Sequence, residues 1–235
     1  MSGTRKSNLL GRITVLFALC CFCLPAQAKY GGGSGTSNDP FLIYTAEQMN
    51  AIGADANDWD KHFLLCADID LIAFTGTSFN IIGTDYHNTF TGVFDGNGHT
   101  ISYFSYTSTG RHYIGIFGYL SGSDAEIKNL GLIDPNVDAG TGKLVGSLVG
   151  TLHGTVTNCY VKGGSVSGRY YTGGLVGMNY GTITNCCTSG SITGDKYTGG
   201  LVGESISGTI NNCYTNGIVS GLYAIGGLSG NNGGT

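Results

Sequence analysis

The chain has 235 residues, 42 of them glycine, and its 15 acidic and 11 basic side chains give a net charge of −4. That balance excludes the clustered Lys and Arg that contact with nucleic-acid phosphates requires. The glycines follow no three-residue period, which excludes a collagen-like helix, and the length suffices for one shared apolar core.

Residues 1–28 read as a secretory signal peptide. Arg5, Lys6 and Arg12 supply the basic start, Ile13 to Leu24 the apolar stretch, and Ala26-Gln27-Ala28 a small-residue cleavage site. The stretch is short for a bilayer span. Cleavage before Lys29 removes Cys20, Cys21 and Cys23, three of the 11 bases and no acids, so acids then outnumber bases by seven. The mature chain is expected to be secreted or held at the cell surface, with no membrane span after cleavage. Residues 29–40, rich in Gly, Ser and Thr, read as a flexible N-terminal segment.

From residue 41 to 235 one β-helix domain is expected, with degenerate leading coils over 41–142 and regular repeats over 143–235. Phe41-Leu42-Ile43-Tyr44 starts it as a strand. Thr45-Ala46-Glu47-Gln48 is a capping box that predicts a short helix through Ile52, ending at Gly53, with Met49 and Ile52 on one face. This helix is expected to cover the open first coil, because bare strand edges invite pairing. A strand over His62–Leu71 follows. Asp95-Gly96-Asn97-Gly98 is a turn between a strand ending near Phe94 and one starting near Thr100.

The region from Lys143 onwards is periodic. Ser147-Leu148-Val149-Gly150 recurs as Gly174-Leu175-Val176-Gly177, Gly200-Leu201-Val202-Gly203 and Gly227-Leu228-Ser229-Gly230. Between the copies lie Val156-Thr157-Asn158-Cys159, Ile183-Thr184-Asn185-Cys186 and Ile210-Asn211-Asn212-Cys213, with the cysteines 27 residues apart. A fixed period of this size marks stacked supersecondary units. The pieces are short, β-branched and separated by Gly, Asn and Ser, so they are strands. Three strands fit one period: the Leu-Val piece, the Ile-Thr piece and the run from Cys to the next Ile or Val. Pairing of equivalent strands makes an all-β, right-handed parallel β-helix, a β-solenoid.

Four inward ladders follow from the register: Val156, Ile183, Ile210; Cys159, Cys186, Cys213; Val166, Ile192, Val219; and Leu148, Leu175, Leu201, Leu228. A left-handed bend at Asn158, Asn185 and Asn212 lets the following Cys face inward. Going back along the chain, Ile114 to Gly118 stands in for the Leu-Val phrase. Ile127-Lys128-Asn129-Leu130 stands in for Ile-Thr-Asn-Cys, and Ile101-Ser102-Tyr103-Phe104 takes that place one coil earlier. Ile225 to Thr235 begins a further repeat. The expectation there is either a fragment or a coil covered by another chain or surface, with Ile225–Thr235 least ordered and able to drive self-association through the open C-terminal coil.

The Gly-Gly-Leu-Val-Gly, Gly-Thr-Ile-x-Asn-Cys and Gly-x-Ile/Val-x-Gly phrases resemble the GLUG-motif repeat of secreted and surface-attached bacterial proteins. That family includes adhesin-like proteins and the non-catalytic regions of some immunoglobulin A-specific metallopeptidases. The resemblance implies a β-helix and an adhesin-like role.

Chemistry-bearing residues are few. Asp68 and Asp70 point the same way on a strand and could serve glycoside hydrolysis or calcium, but they also flank an inward Ile69 on a solvated face. Asp85, Asp95 and Asn97 offer oxygens near turns. His62, His87, His99, His112 and His153 form no His-Glu-x-x-His motif, and no Gly-x-Ser-x-Gly elbow is present. No catalytic, cofactor or metal residues are assigned. Of the five mature cysteines, Cys66, Cys159, Cys186, Cys187 and Cys213, those in the ladder read as packed free thiols, and Cys187 should face outward. Tyr170, Tyr171, Lys196, Tyr197 and Tyr223 should stack along one edge, where they either contact a glycan or protein partner or cover turns. The expected function is an exported, non-enzymatic, adhesin-like protein presenting a rigid surface to a glycan or protein. The alternative is a polysaccharide-active β-helix enzyme of the pectate-lyase type.

Overall fold

A computed structural model describes Gly3 and residues 28–235. The signal peptide expected over residues 1–28 therefore falls, except for Gly3 and Ala28, outside the described residues. The described chain is all-β with parallel strands stacked as a β-solenoid and one short α-helix, Ala46–Ala54.

Each repeat coil carries four strands and not three. One coil runs through Val149–Leu152, Thr155–Thr157, Tyr160–Lys162 and Ser165–Gly173, and the next through Val176–Asn179, Thr182–Thr184, Cys187–Thr188 and Ser191–Gly199. The run after each Cys breaks in two because Gly163 and Gly164 take φ of 74° and 76°, and Gly190 takes 133°, making a corner there. Four parallel sheets result, of seven, six, five and six strands.

The expected ladders are in register. Val156 pairs with Ile183 and Ile183 with Ile210; Val166 pairs with Ile192 and Ile192 with Val219. Leu148, Leu175 and Leu201 are fully buried, whereas Leu228 in the last coil is partly open. The first ladder runs back through Ile127, Phe94, Phe63 and Phe41, so one column spans the whole solenoid. Its leading end is aromatic, with Phe63 5.7 Å from Phe41 and 6.5 Å from Phe94 between ring centres. Its repeat end is filled by Val156, Ile183 and Ile210.

Asn129, Asn158, Asn185 and Asn212 all adopt left-handed φ, between 51° and 55°. Their amides form a chain along the solenoid: Asn158 Nδ2 donates to Asn129 Oδ1 at 3.2 Å, Asn185 to Asn158 at 3.1 Å and Asn212 to Asn185 at 2.6 Å. The bend turns Cys159 and Cys186 inward, where each is 1% exposed. All five described cysteines are free, and Cys187 pairs in register with Tyr160 and Tyr214 on a partly exposed strand.

The second glycine of the Leu-Val-Gly phrase is demanded by close backbone approach. A Cβ on Gly177 would lie 2.5 Å from Val145 N, and one on Gly203 would lie 2.5 Å from Thr172 N. The strands Lys143–Val145 and Ser165–Gly173 thus rest against the Leu-Val-Gly strands that carry Gly177 and Gly203.

The leading coils depart from the expected register in two places. His62–Leu71 is two strands, His62–Leu65 and Ile69–Asp70, because the chain turns a corner at Cys66–Asp68, where Cys66 N–H donates to Ile43 O. Ile101 does not occupy the Ile127 column. It pairs with Ile69 and Leu132 on the next face, and Phe94 takes the column instead. The reason is the Asp95–Gly98 turn, which is itself the corner: Asn97 has φ 53° and Gly98 81°.

The helix has the expected cap. Thr45 Oγ1 accepts from Gln48 N–H at 3.3 Å, but Gln48 Oε1 accepts from Tyr44 N–H, one residue further out than the reciprocal bond of a capping box. Met49 and Ile52 are fully buried, and Trp59 Nε1 donates to Ile52 O at 2.7 Å, pinning the helix end. The segment expected to be flexible folds back on the first strand. Gly31 N–H donates to Leu42 O, Leu42 N–H to Gly32 O, and Tyr30 is buried against Phe41 and Phe63. An aromatic ring able to enter the core outweighs the loose backbone preference of its glycine neighbours.

Candidate functional site

The long strands Ser165–Gly173, Ser191–Gly199 and Ile218–Gly226 hold the residues singled out from sequence. They form two rows. Lys143, Tyr170, Lys196 and Tyr223 pair in register as one row. Tyr171 and Tyr197 form the other and stack face to face, 5.2 Å apart with planes 1° from parallel. Both have left-handed φ, 58° and 59°, which turns them away from the first row.

The first row alternates cations and rings. Lys143 Nζ lies 5.1 Å from the centre of the Tyr170 ring, and the Arg169 guanidinium lies 4.9 Å from it. Arg169 also faces Asp195, with Nε 3.7 Å from Oδ2. A concavity of about 430 Å³ opens here, lined by Tyr170, Asp195, Lys196, Leu222 and Tyr223. Tyr223 and Leu222 are 68% and 70% exposed. Rings with flanking ammonium, guanidinium and carboxylate groups can stack on an apolar face of a ligand and hydrogen-bond its hydroxyls.

A second aromatic group escaped the sequence reading. Tyr119, His153 and Tyr180 stack beside the Leu-Val-Gly strands, with ring centres 5.4 Å and 4.5 Å apart. The Tyr119 hydroxyl and His153 Nε2 are hydrogen-bonded at 2.9 Å. Burial lowers the His153 pKa from its ordinary value, favouring the neutral form. The signal was present: Leu152 pairs with Asn179, so the residues that follow them, His153 and Tyr180, occupy equivalent places.

The carboxylates considered for catalysis serve turns. Asp68 Oδ1 accepts from Thr100 N–H at 2.8 Å and faces His99 Nδ1 at 3.3 Å; the backbone bond, more than His99, lowers its pKa. Asp70 accepts from Ile72 N–H, Asp95 from Asn97 N–H and Asn129 Nδ2, and Asp85 from His87 N–H and Asn88. Asp68 lies just before the strand Ile69–Asp70 and not on it. Among the described residues, no group of three or more His, Cys, Asp or Glu side chains is placed to hold a metal ion. Nor is any described helix long and apolar enough to cross a membrane.

No family model matches the chain. The likeness to the GLUG-motif family therefore rests on the repeated phrases alone. A protein of Evansella cellulosilytica named "Putative Gly-rich membrane protein" is 35% identical over 165 residues, which cover 64% of this chain and 19% of that protein. Halomucin of Haloquadratum walsbyi is 36% identical over 127 residues, covering 53% of this chain and 1% of that protein. The chain thus spans about a fifth or less of these relatives. A solved structure described as a "putative immunoglobulin A1 protease", from Bacteroides ovatus, superposes with a TM-score of 0.72 at 23% identity, covering 87% of this chain and 65% of that one.

The expectation of a chain without enzymatic activity is corrected by this last likeness. The same solenoid occurs in a protein described as a protease, so the missing peptidase and nucleophile-elbow motifs do not place this chain among non-enzymes. At 23% identity the likeness fixes the fold and assigns no reaction.

Proposed function

We propose that the chain is an exported, surface-presented repeat segment that acts as an adhesin-like scaffold, holding a tyrosine and lysine groove toward a surface glycan. The observation that carries this reading is the row Lys143, Tyr170, Lys196 and Tyr223 beside a groove of about 430 Å³. Because each residue is anchored in a paired strand, the row is preorganised and little ordering entropy is lost on binding. The names of the two relatives, a membrane protein and Halomucin, favour a location at the cell surface or outside it.

The test is binding of the purified chain to an immobilised glycan array, followed by titration of the best ligand. Tyr170→Ala and Tyr223→Ala should each weaken binding about three- to tenfold, the worth of one aromatic stacking contact. Unchanged binding by the double variant would remove the groove from the reading.

A further inference from the structure

Arg111, Lys143, Arg169 and Lys196 are four of the eight bases that remain once residues 1–28 are removed. They are far apart in sequence, and stacking brings them together. Lys143 pairs in register with Tyr170, and Tyr170 with Lys196. Arg169 N–H donates to Gly142 O, Tyr113 N–H donates to Lys143 O, and a Cβ on Gly142 would meet Arg111 O. Four successive coils therefore contribute one base each to a strip along the groove. Successive coils are about 4.8 Å apart.

These bases lack the partners that the others have. Lys29, Lys61 and Lys128 are paired with acids. Among the described residues, no acid comes within salt-bridge distance of Arg111, Lys143 or Lys196. Arg169 meets only Asp195, at 3.7 Å, with both side chains about half exposed. Such a pair is weak and an incoming anion can displace it. The cations rest on rings instead. Lys143 and Arg169 share Tyr170, Lys196 Nζ lies 4.4 Å from the centre of Tyr197, and the Arg111 guanidinium 5.9 Å from that of Tyr106. A cation held on a ring face keeps N–H donors for an anion and loses less rotamer freedom on binding.

We propose that the ligand of the groove is a carboxylate-bearing glycan, a polyuronate, laid along the solenoid axis with its carboxylates on Lys143, Arg169 and Lys196. This rests on the glycan reading of the same groove. One base per coil matches a polymer with one carboxylate per sugar, because a pyranose unit in an extended chain advances by about one coil spacing. The Arg169 guanidinium is a planar fork that fits a carboxylate. Tyr223, 68% exposed, offers its ring to the C–H face of a sugar. Nucleic acid fits less well: phosphate contact takes denser cations, and the remainder of the chain is acidic.

The experiment is calorimetric titration of the purified chain with sodium polygalacturonate, its neutral methyl ester, dextran sulfate and single-stranded DNA. Polygalacturonate should bind most tightly. Its binding should weaken between about 0.1 M and 1 M salt, as the screening length falls from about 10 Å to 3 Å. Lys143→Gln with Lys196→Gln should weaken it about tenfold, and Lys143→Arg with Lys196→Arg should bind nearly as the parent does. Lys162→Gln, an equal loss of charge on the exposed end of another strand, should leave binding unchanged. The proposal is overturned if the methyl ester binds as well as the acid, if dextran sulfate or DNA binds more tightly, or if the double glutamine variant binds as the parent does. It is also overturned if Lys162→Gln costs as much as that variant. Should polygalacturonate fail while the array yields a neutral ligand, this proposal alone falls; should no glycan bind in either experiment, the glycan reading falls with it.

Discussion

Asn185 joins two coils and sits at a corner, so its replacement separates two physical contributions. Its side chain donates to Asn158 Oδ1 at 3.1 Å and accepts from Asn212 Nδ2 at 2.6 Å, and its backbone is left-handed at φ 55°. Asn185→Ala removes both bonds. On an exposed face each is worth about 0.5 kcal/mol, the low end for a neutral pair. Alanine also meets the left-handed penalty of about 1–2 kcal/mol. The expected loss is about 2–3 kcal/mol. Asn185→Gly loses the same bonds and adopts the left-handed region freely, but it gives up about 0.5–1 kcal/mol through the entropy of its unfolded chain. Its loss should be about 1.5–2 kcal/mol. The assay is urea unfolding followed by circular dichroism, comparing midpoints at unchanged slope. A glycine variant less stable than the alanine variant, or an alanine variant within about 0.5 kcal/mol of the parent, would refute the argument that Asn is used here for backbone conformation and ladder together.

Three further outcomes are expected. Gly177→Ala should destabilise by about 1–3 kcal/mol, since the new Cβ would press on Val145 N and Gly150 O, and backbone yields less readily than a side chain; a melting temperature equal to the parent's would count against the close-approach account. Native-state alkylation at mildly alkaline pH should modify Cys187 ahead of Cys159 and Cys186, which are buried. The Cys186 thiol is in addition pushed up to about 12 by its contact with Cys159 and by burial. Mass mapping that finds Cys186 modified first would contradict the ladder. Burial depresses the His153 pKa below 6.5, so between that folded value and 6.5 the unfolded chain binds a proton that the folded chain does not. The contribution is therefore complete above 6.5, declines as pH falls through this window, and is fully lost below the folded value. Stability of His153→Phe, which keeps the stack on Tyr180, should fall less than the parent's over that window; parallel pH curves would exclude the effect.

The repeat half of this fold was legible in the residues because its determinants are local and recur. A β-branched residue every coil, an Asn before each Cys and a Gly after each Leu-Val phrase fix strand, corner and register without reference to distant contacts. The columns through Ile183, Cys186, Ile192 and Leu201 follow from that period alone. The leading coils were less legible because their loops vary in length. Only pairing showed that Phe94 and not Ile101 continues the Ile127 column, and that Tyr30 is drawn into the core. The division of each coil into four faces depended on where Gly163-Gly164 and Gly190 place a corner, a choice that local sequence leaves open and neighbouring coils settle. The Tyr119, His153 and Tyr180 stack joins residues from three coils. Glu204 reads in sequence as one of two acids in an almost uncharged repeat. Its burial and its hydrogen bond from Asn231 exist only once the coils are stacked, because burial is a property of what packs against a residue and not of the residue itself.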